Sequence, residues 1–120
     1  MHNNESAENY LETILMLSKK LPVVRAVDIA NELGYKKSSV SIAMKHLREK
    51  EHITVSEAGF ITLTDSGRAI ADMIFERHEM LTCILTSLGV PENIASEDAC
   101  RIEHVLSPES FEALKRHFSK

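Results

Sequence analysis

Cys100-Arg101-Ile102-Glu103-His104 is the stretch richest in groups that can do chemistry. On a helix, Cys100, Glu103 and His104 stand at i, i+3 and i+4 and share one face. A thiolate, a carboxylate and an imidazole so placed can converge on a divalent ion, and the softer ligand atoms favour Fe(II), Zn(II) or Co(II) over Mg(II). The same spacing also describes a core cysteine beside an exposed Glu-His pair with no metal role. His78, flanked by Arg77 and Glu79, offers a second imidazole. Near the N-terminus, Asn9 and Glu12 offer an amide and a carboxylate oxygen one helical step apart. Each has an ordinary alternative: a solvated helix residue for His78, a favourable N-terminal charge for Glu12. No third catalytic partner or substrate loop accompanies Cys100 and His104, so the cluster points to coordination and the chain is not expected to be an enzyme.

These residues must be positioned by helices. From Ala7 to Lys20, Tyr10, Leu11, Ile14, Leu15 and Leu17 make an apolar stripe, with the residues before Ala7 expected to be loose. Pro22 stops that helix. Ala26–Lys50 then reads as two short helices joined by a tight turn at Gly34, which takes positive φ without steric cost. Val27, Ile29, Ala30 and Leu33 form the first apolar face; Val40, Ile42, Ala43, Met44 and Leu47 form the second, with Ser38 or Ser39 as its cap. Lys36, Lys37, Ser38, Ser39, Ser41, Lys45 and Arg48 are left for the outer face, a set of hydroxyls and cations suited to a major-groove reader. An ordinary amphipathic helix pair would look similar in isolation. The next segments decide between them: His52–Val55 and Phe60–Leu63 form a hairpin about Ser56-Glu57-Ala58-Gly59, and Thr64-Asp65-Ser66 caps a new helix. Helix, turn, helix, hairpin, helix is the winged DNA-binding arrangement.

The helix from about Ser66 reaches Ser87 or Leu88, roughly 33 Å at about 1.5 Å per residue. Gly89 ends it. Pro91 opens a further helix to about Leu106, and Ser107-Pro108-Glu109-Ser110 caps a last one carrying Phe111, Leu114 and Phe118. The expected fold is mainly α: a winged helix-turn-helix DNA-binding domain over 1–70, then metal-binding and dimerisation helices over 71–120. Ile84, Leu88, Phe111, Leu114 and Phe118 offer more apolar surface than two short helices can bury, so a homodimer is expected.

The 120 residues carry a net charge of −4, which argues against indiscriminate nucleic-acid binding, but its distribution is uneven. Positions 19–50 hold eight basic and three acidic residues, net +5, whereas six basic and ten acidic residues from 65 onward give −4. With no long apolar run and a polar start, neither a membrane span nor a secretion signal is expected, and the cytoplasm is the simplest location. Two cysteines are too few for a disulfide framework.

ENYLETILML, VRAVDIANELGYKKSSVSIAMKHLREK, ITLTDSGRAIA, ERHEML, SLGV and DACRIEHVLSPES follow one another in an order that resembles the metal-dependent repressors typified by the diphtheria toxin repressor and its manganese-responsive relatives. The resemblance implies operator binding controlled by Fe(II) or Mn(II). It carries metal ligation to His78, Cys100, Glu103 and His104, and to Glu12 and Asn9 on the first helix. Cys100 is like the iron-responsive branch and Glu12 like the manganese branch. Thr82 and Ser96 stand where relatives carry a further carboxylate and histidine, and the chain ends at Lys120 without the SH3-like domain of larger members. The implied partners are double-stranded palindromic DNA and a second copy of the chain, with no membrane and no small-molecule substrate. The rival from another class is a helical interaction or dimerisation module that has lost metal or DNA function.

Overall fold

The structure, a computed structural model, describes residues 5–118. The elements run α1 (Glu5–Ser18), α2 (Ala26–Leu33), α3 (Lys37–Glu49), β1 (Ile53–Val55), β2 (Ile61–Leu63), α4 (Asp65–Ser87), α5 (Glu92–Ile102) and α6 (Pro108–Phe118). They form two compact units, Ser6–Asp72 and a second that comprises Glu5 and the residues from Met73 on.

The first unit is a winged helix. Leu11, Ile14 and Leu15 of α1, Ile29 of α2, Val40 of α3 and Ile53 of β1 are almost wholly buried and make its core. Gly34 takes φ 71° and donates its N–H to the Ala30 carbonyl, closing α2 in the left-handed conformation expected of it. The hairpin pairs Ile53 with Leu63, Thr54 with Thr62 and Val55 with Ile61, and the Ile61 amide also donates to the Val24 carbonyl at 2.8 Å. Tyr10 of α1 meets Tyr35 of the helix-helix turn edge to face, with centroids 6.0 Å apart. Burial, assisted by Tyr35, pushes the Tyr10 hydroxyl above the ordinary tyrosine range.

A hydrogen-bonded clasp ties the end of α3 to the start of α4. Thr64 donates its amide to the His52 carbonyl at 3.0 Å and its hydroxyl to the Glu51 carbonyl at 2.7 Å, while its Oγ1 accepts the Gly67 amide at 3.2 Å. Thr64 therefore caps α4. Glu51 reverses the chain at φ 65°. Gly67 sits so close to His52 that a Cβ there would collide with the His52 carbonyl oxygen.

In the second unit, Ile74, Leu81 and Ile84 of α4, Ala95 and Ala99 of α5 and Phe111 of α6 are buried. Gly89 ends the α4 segment at φ 102°. Ser107 Oγ accepts the Ser110 amide at 3.0 Å and caps α6 as expected. Lys115 Nζ lies 2.6 Å from Glu76 Oε2, which holds the ammonium above its ordinary range.

Five local expectations are corrected. Helix α1 starts at Glu5, so Glu5 and Ser6 are helical; residues 1–4 lie outside the described range. Ser38 and Ser39 lie within the first turn of α3, whose cap position is Lys36 without a side-chain hydrogen bond. Ile42 is 58% exposed and Val27 37%, because the stripe that faces the core is Val40, Met44 and Leu47 in α3 and Ile29 and Ala30 in α2. Ile84 and Phe111 are buried, so the second unit's exposed large apolar side chains include Leu88, Ile94, Val105 and Phe118. Helix α5 stops at Ile102, four residues short of Leu106, where the chain turns with Val105 N–H on the Ile102 carbonyl at 3.0 Å.

Candidate metal centre and DNA-reading face

His78 projects from the middle of α4, and Glu103 is the cap residue that closes α5, its amide donating to the Ala99 carbonyl at 2.9 Å. The Glu103 side chain is 0% exposed. Its Oε1 lies 2.9 Å from His78 Nδ1 and its Oε2 lies 3.3 Å from Nε2 of His104, whose side chain is 3% exposed. His78 Nε2 reaches Ser96 Oγ at 3.3 Å. One buried carboxylate thus stands between two imidazoles. A buried carboxylate is costly unless paired and hydrogen-bonded; here His78 meets Oε1 at hydrogen-bond distance, while Oε2 has His104 beside it but no hydrogen bond among the described residues.

The early stop of α5 changes the geometry expected from spacing. Glu103 keeps helical backbone angles (φ −58°, ψ −26°) as the cap, whereas His104 lies in the turn beyond it, so Cys100 does not share a helical face with both of them. It lies exposed on α5, outside the grouping in which His78 and Glu103 offer ligand atoms within 4.8 Å of each other. Glu12 is only 5% exposed, one helical step after Asn9 on α1. Asn9 is half-buried and its backbone carbonyl accepts the Thr13 hydroxyl at 2.8 Å. Thr82 Oγ1 is buried with no hydrogen-bond partner among the described residues.

In the winged unit, α3 separates its two faces cleanly. Val40, Met44 and Leu47 are buried, while Lys36, Lys37, Ser38, Ser39, Ser41, Lys45 and Arg48 are all exposed. Ile42 stands among them in solvent. Its outward direction was legible from its offset of two residues from Val40 and Met44, which places it well away from their stripe.

Residues 3–59 match the N-terminal DNA binding domain of the iron dependent repressors, and residues 64–120 match their metal binding and dimerisation domain. The chain belongs to the iron-dependent repressor family. It is 34% identical over 119 residues to an uncharacterised HTH-type transcriptional regulator of Methanocaldococcus jannaschii, covering 98% of this chain and 95% of that one. The HTH-type transcriptional regulator MntR of Bacillus subtilis is 33% identical over 109 residues, 91% of this chain and 77% of that one. A solved manganese-dependent transcriptional repressor in complex with manganese superposes with a TM-score of 0.86 at 26% identity, over 94% of this chain and 52% of that one. The chain therefore spans about half the length of that repressor. Iron-dependent repressors are non-catalytic, metal-sensing transcriptional regulators, and the winged unit and the helices after it have that family's architecture. Among the described residues no helix is long and apolar enough to cross a membrane.

One residue of this site escaped the sequence reading. Arg77 is 6% exposed, and its Nη1 donates to the carbonyls of Glu103 at 3.0 Å and Leu106 at 2.7 Å. These two bonds tie both ends of the 103–106 turn, into which α5 runs, to α4. The signal was available: positions 70, 74, 77, 81, 84 and 88 form one apolar line along α4, and Arg77 sits on it.

Proposed function

We propose that this iron-dependent repressor is a cytoplasmic homodimer that binds Fe(II) or Mn(II) around His78, Glu103 and His104, then binds palindromic operator DNA through α3 to repress metal-homeostasis genes. The hydrogen bond between half-buried His78 and fully buried Glu103 carries the reading, because it holds a nitrogen and an oxygen donor ready on two elements of one unit. Glu12 adds a carboxylate from α1, and Asn9 an amide oxygen or a hydrogen bond to a ligand. Cys100 contributes its thiolate or, with the thiol at the surface, its backbone oxygen. The imidazoles and carboxylates suit Mn(II) and Fe(II); a Cys100 thiolate favours Fe(II), its backbone oxygen favours Mn(II), and the manganese complex of the similar repressor supports Mn(II).

A bound divalent ion would supply positive charge that offsets the buried Glu103 carboxylate. The chain's own residues do the rest. His78 would ligate through a ring nitrogen that carries no proton. Glu12 shares α1 with Tyr10, which packs on Tyr35 at the turn leading into α3, so the restraint of α1 reaches the reading helix. Metal favours DNA binding only to the extent that it binds the competent arrangement more tightly than the other. On α3, Lys36, Lys37, Lys45 and Arg48 neutralise phosphates, Ser38, Ser39 and Ser41 meet phosphates or base edges, and Ile42 offers an apolar contact for a thymine methyl.

The test is anaerobic calorimetry with Fe(II) and Mn(II), followed by binding of the same preparations to duplexes selected from a random library. The expected result is metal-dependent, salt-sensitive binding to a palindrome, with tight metal uptake lost on replacing His78 and His104 by Ala. Wild-type uptake and wild-type metal-dependent DNA binding in that double variant would exclude this centre.

A further inference from the structure

Arg77 and His78 are consecutive on α4, and both hold Glu103. His78 faces its carboxylate at 2.9 Å, while Arg77 Nη1 holds its main-chain carbonyl at 3.0 Å and the Leu106 carbonyl at 2.7 Å. The guanidinium lies over the Phe111 ring at 5.3 Å, and Phe111 is itself 3% exposed, so α6 closes over the same group. The arrangement is costly by itself. A buried guanidinium normally takes a carboxylate as partner, yet the bonds it makes here go to two backbone carbonyls at the end of a helix. An apolar residue at position 77 would continue the Ile74–Leu81 line and would leave both carbonyls without this donor. A planar group with two hydrogens on one nitrogen can bridge two carbonyls three residues apart, which the ammonium of lysine does with less fixed direction.

We propose that Arg77 is the positioning residue of the metal centre. It bolts the 103–106 turn to α4 before any ion arrives, so that the Glu103 carboxylate already points at His78 and the His104 ring is carried beside it. Arg77 ligates nothing. It acts through the backbone of a ligand, and Phe111 makes α6 part of the support. Affinity for the ion then depends on a residue whose own partners are carbonyl oxygens.

This inference rests on the metal centre proposed above, and the experiment separates the two. Arg77→Met and Arg77→Lys are titrated anaerobically with Mn(II), and amide hydrogen exchange is followed on the metal-free proteins. Ile74→Val, which trims the same helix core without touching the turn, is the stability control. Arg77→Met should bind Mn(II) ~10–100-fold more weakly, the loss typical when a residue supporting a ligand is removed. Arg77→Lys should recover part of it, and it keeps the test intact if the Met variant does not fold. In the metal-free variants, exchange should quicken at residues 103–106 while amides of the winged unit keep their wild-type rates, and Ile74→Val should stay within about twofold of wild-type Mn(II) affinity. Unchanged exchange at 103–106 overturns the proposal, as does wild-type Mn(II) affinity in the Arg77 variants or an equal loss in Ile74→Val. If the wild-type chain takes up neither Mn(II) nor Fe(II), the proposed centre fails, and the exchange measurement alone decides whether Arg77 holds the turn.

Discussion

Replacing Gly67 by Ala sets two physical effects against each other. Gly67 lies in the first turn of α4, where exchanging glycine for alanine ordinarily stabilises a helix by up to about 1 kcal/mol. Here the new Cβ would collide with the His52 carbonyl oxygen and lie 2.9 Å from its carbon, and both neighbours are backbone that cannot swing aside. Overpacking of this kind costs roughly 1–3 kcal/mol. Moving Gly67 away also stretches its bond to Thr64 Oγ1, about 0.5–1.5 kcal/mol more. The clash wins, and the net loss should be about 1–3 kcal/mol, or roughly 1 M in urea midpoint for a chain of this size. Ala69→Gly, at an exposed position one half-turn on, supplies the contrast. It should cost about 0.5–1 kcal/mol through propensity alone. Propensity therefore gives opposite signs for the two exchanges, whereas the clasp makes both destabilising. Urea unfolding of the metal-free chains, followed by far-ultraviolet circular dichroism, reads the difference. A Gly67→Ala midpoint at or above wild type would refute the close approach of α4 to His52.

Three further outcomes are expected. Leu88, Ile94, Val105 and Phe118 leave apolar surface exposed on the second unit, so sedimentation at micromolar concentration should give twice the 13.5 kDa monomer; a monomer throughout that range contradicts it. Lys37→Ala or Lys45→Ala should weaken operator binding and flatten its dependence on salt by about one unit of log–log slope per lost phosphate contact, and an unchanged slope would remove that lysine from the interface. Glu12→Gln should reduce metal-dependent DNA binding more than metal uptake, measured on one preparation by calorimetry and duplex binding; equal losses in both would deny α1 a coupling role.

The succession of elements was legible because each carries its own local signal. Gly34 and Gly89 end their helices in the left-handed region, Ser107 caps α6, and the hairpin forms from the two β-branched runs, although its Val55–Ile61 pairing leaves residues 56–60 between the strands, one more than the four-residue turn read from the sequence. The candidate site was legible by residue type but not by geometry. Nothing within Cys100–Leu106 says that the helix stops at Ile102, and the donor that meets the carbonyls of the turn beyond it is Arg77, more than twenty residues earlier. Exposure of Ile42 and burial of Glu12 needed stricter attention to helical phase than an apolar or charged label supplies. Lys36 at the cap of α3, in place of either serine, follows from an extended backbone there that the side chains do not dictate.

The chain contains no tryptophan and only two tyrosines, Tyr10 and Tyr35, and these are the pair that meet edge to face in the winged unit. Its ultraviolet emission is therefore an optical signal from one place. The second unit, with His78 and Glu103, contributes no tyrosine to it. A titration watched at tyrosine wavelengths records only what reaches the joint between α1 and the turn ahead of α3. The protein thus carries a label-free reporter on the reading side, spectrally silent toward the side where the carboxylate and imidazoles meet.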